Sequence, residues 1–441
     1  MGSLIDRRLA LRSEFVIVGG GAGGLELACK LGRKLGPARV ALVDSRLYHI
    51  WKPSLHEVAA GTLDVHQEGL SYQMLAHDNG FTFVYGAMTG LDADGRSLTV
   101  GPIVTGQGEE VLPARSVHYG SLVLAVGSVS AYFGVPGAQE HTISLNAVED
   151  AERFRLTLLK MLARAEYRND GEPGAGIDVV IIGGGATGVE LAAELREASG
   201  AYATYGMGHE ALRDVRITLL EGAPRILAPL PEKVSAAASR LLDRRAIKVV
   251  TSCRVTEVAP GSVRDKEGNV YPADLCVWAA GIRAPDFLGE MGLPVAKGGQ
   301  VIVDERLQVG GMPGLYALGD CADCKDARGV QVPPRAQAAH QQADYLLDSF
   351  LRAKAGRPAP RQGYVYKDYG SLVSVGQSTS VGSLMGSLKG LSWFVEGFTA
   401  RMMYVSLHLM HHKAVLGAMR TAVLALARFL IKRTTPLVKL H

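Results

Sequence analysis

The sequence predicts an α/β fold with two Rossmann-like dinucleotide-binding domains and a C-terminal amphipathic helical segment that anchors to a membrane. Three observations predict it. The first is the glycine loop Gly19-Gly20-Gly21-Ala22-Gly23-Gly24, directly after the apolar run Phe15-Val16-Ile17-Val18 and directly before a helical pattern. The second is the return of that arrangement at Gly183-Gly184-Gly185-Ala186-Thr187-Gly188, after Val179-Val180-Ile181-Ile182. The third is a change of composition from Leu391 onward. Both loops read G-x-G-x-x-G. In each, the first glycine (Gly19, Gly183) makes the tight turn. The second (Gly21, Gly185) lets the backbone approach a pyrophosphate, and the third (Gly24, Gly188) lets helix and strand pack closely. The helix N-terminus then offers free N–H groups and a positive dipole end to the phosphates. One such loop is a weak signal. Two in full context mean two dinucleotides on one polypeptide, and the economical reason to hold two is to pass a hydride between them.

The bulk properties agree. A chain of 441 residues is too long for one core and divides into two or three domains. Its 47% hydrophobic and 20% charged residues are ordinary for a globular protein. A net charge of +4 gives no footprint for nucleic acid. Cys29, Cys253, Cys276, Cys321 and Cys324 are too scattered for a secreted disulfide framework. The N-terminus carries Arg7, Arg8 and Arg12 without the apolar core of a signal peptide, so a cytoplasmic compartment is expected. Charges interrupt every apolar stretch too soon for a membrane-spanning helix.

Along the chain, the first strand-loop-helix unit runs from Phe15 to about Leu35, and the strand Val40-Ala41-Leu42-Val43 ends in Asp44. That acid follows the last loop glycine by about twenty residues, the place of a ribose-binding carboxylate; a surface Asp at a strand end is the plain alternative. The second unit repeats the design with a helix from Thr187 to Glu197 and a strand Val215–Leu220 ending in Glu221. The stretch from Gly200 to Arg213 reads as an insertion after that helix. A carboxylate at the strand tip accepts from both ribose hydroxyls and repels a 2′-phosphate, so Glu221 favours NADH over NADPH. Arg225 lies close enough to bind a 2′-phosphate and keeps that preference open. Gly127 and Gly281 end two further strands, each a domain's length after its own loop, where a glycine admits bound cofactor or simply stops the strand.

The strand Leu315–Leu318 ends in Gly319-Asp320. It resembles the segment by which two-dinucleotide-binding flavoproteins hold the ribityl chain and pyrophosphate of FAD. That resemblance makes the first nucleotide a noncovalent FAD whose site is split: 13–130 and 286–385 around an NADH domain at 131–285, with a membrane-association segment at 386–441. The stretches Leu47-Tyr48-His49-Ile50-Trp51-Lys52-Pro53-Ser54-Leu55-His56-Glu57-Val58, Gly184–Leu191, Trp278–Ile282, Pro333–Gln341 and Lys367–Gly376 extend it. Together they are similar to the type II NADH dehydrogenases, single-subunit NADH:quinone oxidoreductases, in their proteobacterial form, over essentially the whole chain.

The resemblance implies a reaction and a set of residues. NADH gives a hydride to the flavin, and a membrane quinone, ubiquinone or menaquinone, takes two electrons and two protons without proton pumping. Glu190 is placed near nicotinamide and quinone; its plainer role is an acid at a helix N-terminus. Gln337 and Gln341 share a helix face and stand between flavin and quinone, where an amide holds a carbonyl without charge. Pro333 and Pro334 suit the start of that helix. Lys52 becomes an FAD contact. His340 falls off the glutamine face and receives no role.

Other features stay outside this reading. The Cys321-x-x-Cys324 pair admits a redox dithiol or half a metal site. It follows the Gly-Asp at the phosphate end, and no second cysteine pair completes a zinc site, so bystander thiols are the simplest reading; no residue is assigned to a metal. In the C-terminal segment, Trp393, Phe394, Phe398, Met402, Met403, Tyr404, Leu407, Leu409 and Met410 precede a stripe of Leu416, Met419, Val423, Leu426 and Leu430. Arg420, Arg428 and Lys432 mark the opposite side, with Arg433 and Lys439 beyond. A basic face opposite an apolar face suits a helix lying in the headgroup plane of a phospholipid membrane, here the cytoplasmic face of the bacterial inner membrane. A core-packing helix or a homodimer interface is the other use of such a stripe. Two further functions remain open at this point: a soluble NADH-dependent reductase of a disulfide or protein acceptor, and a non-enzymatic redox sensor.

Overall fold

A computed structural model of the chain describes residues 10–168, 176–204, 215–376, 380–385, 392–431 and 438. The chain begins with β1 (Ala10–Val18), α1 (Ala22–Leu35) and β2 (Val40–Asp44). The short helices α2 (Leu55–Ala60), α3 (Val65–Glu68) and α4 (Tyr72–Asn79) follow, then β3 (Thr82–Tyr85), β4 (Met88–Asp92), β5 (Ser97–Val100) and β6 (Arg115–Leu124). These strands, with the later strand Leu315–Ala317 beside β6, form one seven-stranded sheet in the order β3-β2-β1-β6-β5-β4. The central strands pair in parallel, and β1 and β2 are buried on both faces, which is why they read as unbroken apolar runs.

A second sheet follows in sequence. It contains β7 (Ile143–Ser144), β8 (Ile177–Ile182), β9 (Val215–Leu220), β10 (Lys248–Val250) and β11 (Leu275–Trp278) in the parallel order β7-β11-β8-β9-β10. The helices α5 (Val148–Arg168), α6 (Ala186–Thr204) and α7 (Glu232–Arg244) belong to this unit. α6 is longer than the sequence reading placed it. It runs through Glu197 to Thr204, because Ala198, Ala201 and Tyr202 continue its buried face into the second core. Residues 205–213 of the expected insertion lie outside the described residues.

The chain then returns to the first sheet. β12 (Leu315–Ala317) pairs in parallel with Leu122, Val123 and Leu124 of β6 and brings Gly319 and Asp320 beside the first glycine loop's sheet. α8 (Ala336–Lys354) packs on α1 through its buried residues Ala338, Ala339, Gln342, Ala343 and Leu346. A three-stranded antiparallel sheet of β13 (Gly370–Ser374), β14 (Ser380–Met385) and β15 (Ser392–Gly397) leads into α9 (Phe398–Leu416) and α10 (Ala418–Ile431). Gly417, at φ +81°, breaks the two helices apart.

The C-terminal segment differs from the sequence reading in two respects. The apolar stripe is outward, with Met419 83%, Val423 64%, Leu426 60% and Leu430 55% exposed. The basic residues are not its free counterpart. Arg420 forms an ion pair with Asp78 of α4, and Arg428 forms one with Glu68 of α3. Spaced eight apart, the two arginines share a helix face with Leu424, and that face lies on the body of the protein. Leu416 also turns inward, against the first core. Lys432, Arg433 and Lys439, and the side chains of Trp393, Phe394 and Phe398, lie outside the described residues. Among the described residues, no helix is long and apolar enough to cross a membrane.

Candidate functional site

The first glycine loop is built as a cradle. Gly19 takes φ +102°, and a Cβ on Gly24 would stand 2.0 Å from the Gly19 carbonyl oxygen. A Cβ on Gly21, by contrast, would meet none of the described atoms within 4 Å, so this glycine faces the space a pyrophosphate needs. The Gly20 peptide is fixed at both ends. Its N–H donates to Asp44 Oδ2 at 2.6 Å, and its carbonyl accepts from Tyr72 Oη at 2.8 Å and His49 Nδ1 at 2.9 Å. Asp44 thus reaches the loop from the tip of β2, where the sequence placed it.

A second group of residues gathers where β6 and β12 end. Lys52 Nζ donates to the Ser128 carbonyl at 2.9 Å, and Ser128 Oγ donates to Asp320 Oδ2 at 2.8 Å. Gly127 and Gly319 both take φ +72°. Burial lowers the Lys52 ammonium from its ordinary range, with the Asp320 carboxylate working against that shift. Gly319 N donates to Gln342 Oε1 at 2.7 Å. Gln342 is buried and was missed in the sequence. Its signal is its place on the apolar stripe Ala338, Ala339, Ala343 and Leu346, where an amide needs a reason to be buried.

The second loop repeats the first almost atom for atom. Gly183 takes φ +114°, a Cβ on Gly188 would stand 2.0 Å from the Gly183 carbonyl oxygen, and one on Gly185 would meet none of the described atoms within 4 Å. Glu221 Oε2 accepts from Gly184 N and Oε1 from Ala223 N, both at 2.6 Å. Arg225 is committed elsewhere: it donates to the carbonyls of Leu227 at 3.2 Å and Ala228 at 2.6 Å. Gly281, at φ +132°, lies against the Phe133 ring, which a Cβ would meet at 2.8 Å.

Glu190 stands on α6, just past the second loop. Its carboxylate accepts from Ser374 N at 3.0 Å and lies 3.6 Å from His56 Nδ1 on α2. Burial pushes its pKa up to about 7, against the opposing effects of His56 and the Ser374 N–H. The helix dipole that the sequence offered as the plain explanation acts the other way and does not dominate.

Gln337 and Gln341 do share a face of α8, and their amides hold the chain at 367–370. Gln337 Nε2 donates to the Gly370 carbonyl at 3.0 Å, and Tyr369 N donates to Gln337 Oε1 at 3.2 Å. Gln341 Nε2 donates to the Lys367 carbonyl at 2.8 Å, and Lys367 N donates back to Gln341 Oε1 at 2.9 Å. The glutamines therefore reach Glu190 indirectly: α8 holds Gly370, and the strand β13 that Gly370 opens ends at Ser374, which holds Glu190.

His340 has a partner the sequence did not foresee. Its Nδ1 lies 2.5 Å from Glu26 Oε2 on α1. Glu26 Oε1 accepts from His411 Nδ1 of α9 at 2.8 Å, and His411 Nε2 lies 2.9 Å from His49 Nε2. The Gly20 carbonyl can only accept, so His49 donates to it from Nδ1 and turns its Nε2 to His411. Burial alone would raise Glu26, but the hydrogen bonds from His340 and His411 hold it well below the ordinary carboxylate range. The row links the C-terminal helix to the first glycine loop.

Cys321 and Cys324 are both buried, as is Cys29. Cys321 Sγ lies 3.3 Å from the Leu318 carbonyl. Burial raises the thiols of Cys321 and Cys324 to about 11 and about 12. These are inert packing thiols, unlike the low-pKa exposed pair a dithiol mechanism needs.

Comparison with known proteins agrees with this geometry. Residues 13–343 match the family described as pyridine nucleotide-disulphide oxidoreductase. A type II NADH:quinone oxidoreductase of Haemophilus influenzae is 35% identical, over 97% of this chain and 99% of its own length. One of Mycobacterium tuberculosis is 27% identical, over 90% of this chain and 84% of its own. The structure of NDH2 from Plasmodium falciparum in complex with NADH superposes with a TM-score of 0.82 at 19% identity, covering 97% of this chain and 100% of that one.

Proposed function

The chain belongs to the pyridine nucleotide-disulphide oxidoreductases and, within them, to the type II NADH:quinone oxidoreductases, and we propose that its two nucleotide cradles serve that reaction through Glu190. It is an FAD-dependent NADH:quinone oxidoreductase. The proposed division is FAD at 13–130 and 286–385, NADH at 131–285 and membrane association at 386–441. The observation that carries the reading is the pair of matched cradles in one chain, joined through α8, β13 and α6 at a buried carboxyl group.

The residues fit FAD at the first cradle. Gly19, Gly21 and Gly24 leave room for the pyrophosphate, Asp44 offers a carboxylate for the ribose, and Lys52, Gly127, Gly319 and Asp320 close the opposite wall. When bound, FAD supplies the two-electron chemistry that no side chain carries. At the second cradle, Gly183, Gly185 and Gly188 take the NADH pyrophosphate. Glu221 takes the adenine ribose, and Arg225 is tied to carbonyls, which favours NADH over NADPH. Gly281, packed against Phe133, ends the strand we assign to the nicotinamide half.

The overall balance is NADH, quinone and one proton giving NAD and hydroquinone. The hydride supplies one of the two hydrogens, so one proton must come from solvent. Glu190, with a pKa of about 7, exchanges a proton near neutral pH, and it is the group we assign to that transfer. Gln337 and Gln341 hold the 367–370 segment, which leads through β13 to Ser374 and so to Glu190. The native quinone is ubiquinone or menaquinone. The exposed apolar face of α10 meets the phospholipid surface, peripherally and on the cytoplasmic face of the inner membrane.

Steady-state assay of purified protein with NADH and a short-chain quinone tests the reading. One hydroquinone per NADH consumed is the expected result. NADH binding without turnover would leave a nucleotide-binding sensor as the function.

A further inference from the structure

Glu68 lies at the C-terminal end of α3, and His408 and His412 lie on α9, some 340 positions later in the sequence. One ligand atom from each lies within 4.8 Å of the other two. Spacing of four puts both histidines on one helix face. Their rings stack, with centroids 4.4 Å apart and planes 14° from parallel. None of the three belongs to the nucleotide cradles.

The local structure prepares these atoms. His412 is buried, and its Nδ1–H donates to the His408 carbonyl at 3.0 Å. That bond fixes the tautomer in which Nε2 keeps its lone pair, and a backbone carbonyl on the other ring nitrogen is the usual partner of a metal-binding imidazole. Glu68 is held by Arg428 of α10. A carboxylate has two oxygens, so the guanidinium can orient one while the other remains a ligand. Asp64 caps α3 by accepting from His66 N at 2.9 Å, which orders the short helix that presents Glu68.

We propose that Glu68, His408 and His412 bind one divalent transition-metal ion of the zinc class, clamping α9 to α3. Two imidazole nitrogens and one carboxylate oxygen suit Zn²⁺, Ni²⁺ or Cu²⁺, whereas Mg²⁺ and Ca²⁺ take oxygen shells. Ligand distances of about 2.0–2.2 Å require the three atoms to close to roughly 3.3 Å from one another. The stacked His408 and His412 rings must therefore turn out of their parallel arrangement for both lone pairs to meet one ion. Three protein ligands leave one position for water. Arg428 is a nearby cation and keeps the affinity modest. The clamp acts on the helical pair that carries the exposed apolar face, and it is independent of the redox reading, so failure of either leaves the other standing.

The test uses untagged, FAD-loaded protein, stripped with a chelator and titrated calorimetrically with Zn²⁺. One equivalent is expected to bind in the micromolar range, with Ni²⁺ competing and Mg²⁺ without effect. His412→Ala, His408→Ala and Glu68→Gln should each weaken binding at least ten-fold while the flavin absorbance stays intact. Zn²⁺ should slow amide exchange in residues 65–68 and 404–416 of the parent protein. His408 is only half-buried, so His408→Ala decides the matter if His412→Ala does not fold. Absence of saturable Zn²⁺ binding, or equal affinity in parent and His408→Ala, overturns the proposal.

Discussion

Glu26 and His411 stand 385 positions apart in the sequence and 2.8 Å apart in the fold, both almost fully buried. The contact joins α1, which carries the first glycine loop, to α9 near the end of the chain. Through His49 it reaches the Gly20 carbonyl, so the C-terminal helix helps hold the cofactor loop in shape.

Glu26→Gln removes a buried charge and leaves His411, His340 and Lys30 facing one another without it. Breaking a buried pair in this way costs about 3–5 kcal/mol. The expected outcome is earlier release of FAD on heating, read as a rise in flavin fluorescence several degrees below the parent. An unchanged release temperature would mean the row does not support the loop.

Glu190→Gln separates stability from activity. The folded pKa is about 7 against an ordinary 4.5. Below pH 4.5 the group is protonated in both states and costs nothing. As pH rises through 4.5 toward 7 the unfolded chain ionises first, so stability is lost across that window. The shift of 7 − 4.5 = 2.5 corresponds to roughly 3 kcal/mol. The variant should therefore gain stability over the parent at pH 8 but not at pH 4.5. Its reoxidation by quinone should slow and lose its inflection near pH 7, while reduction by NADH stays near the parent rate. A retained inflection would move the proton-transfer role to another group.

Much of this was legible in the chain. The glycine loops announce themselves because a turn at positive φ, an open pyrophosphate face and a close helix–strand contact each need glycine. Asp44 and Glu221 follow from strand length. Gln342, His340 and His411 were not legible in the same way. Gln342 is defined by Gly319, and the two histidines by Glu26, each a contact between elements that meet only when the chain returns to the first sheet. Periodicity found the apolar stripe of α10 but not its surroundings. A helical pattern shows which residues share a face, not that Asp78 and Glu68 wait opposite the arginines.

Glu221→Ala should relax the preference for NADH over NADPH. Glu221 now bridges Gly184 N and Ala223 N, so its loss removes both the ribose acceptor and a brace of the loop. An unmade charge-assisted hydrogen bond costs about 1–3 kcal/mol, or roughly a 5- to 150-fold change in the ratio of the two kcat/KM values. Equal ratios in parent and variant would place the ribose elsewhere.

At the C-terminus, the exposed side chains and not the arginines should carry lipid binding. Val423→Gln with Leu426→Gln removes two exposed apolar groups, each on the order of 1.5–3 kcal/mol when fully buried. Co-sedimentation with liposomes should fall at low and high salt alike. Arg420→Glu with Arg428→Glu should instead loosen α10 from α3 and α4, seen as faster proteolysis after Gly417. Lipid binding lost only through the arginine variant, and only at low salt, would restore a free basic face.

The most direct test is an anaerobic titration of the purified, FAD-loaded protein followed through its flavin absorbance. One equivalent of NADH should bleach the flavin band, NADPH should do so far more slowly, and one equivalent of short-chain quinone should then restore it. A flavin that NADH does not bleach, or that quinone does not restore, contradicts the account.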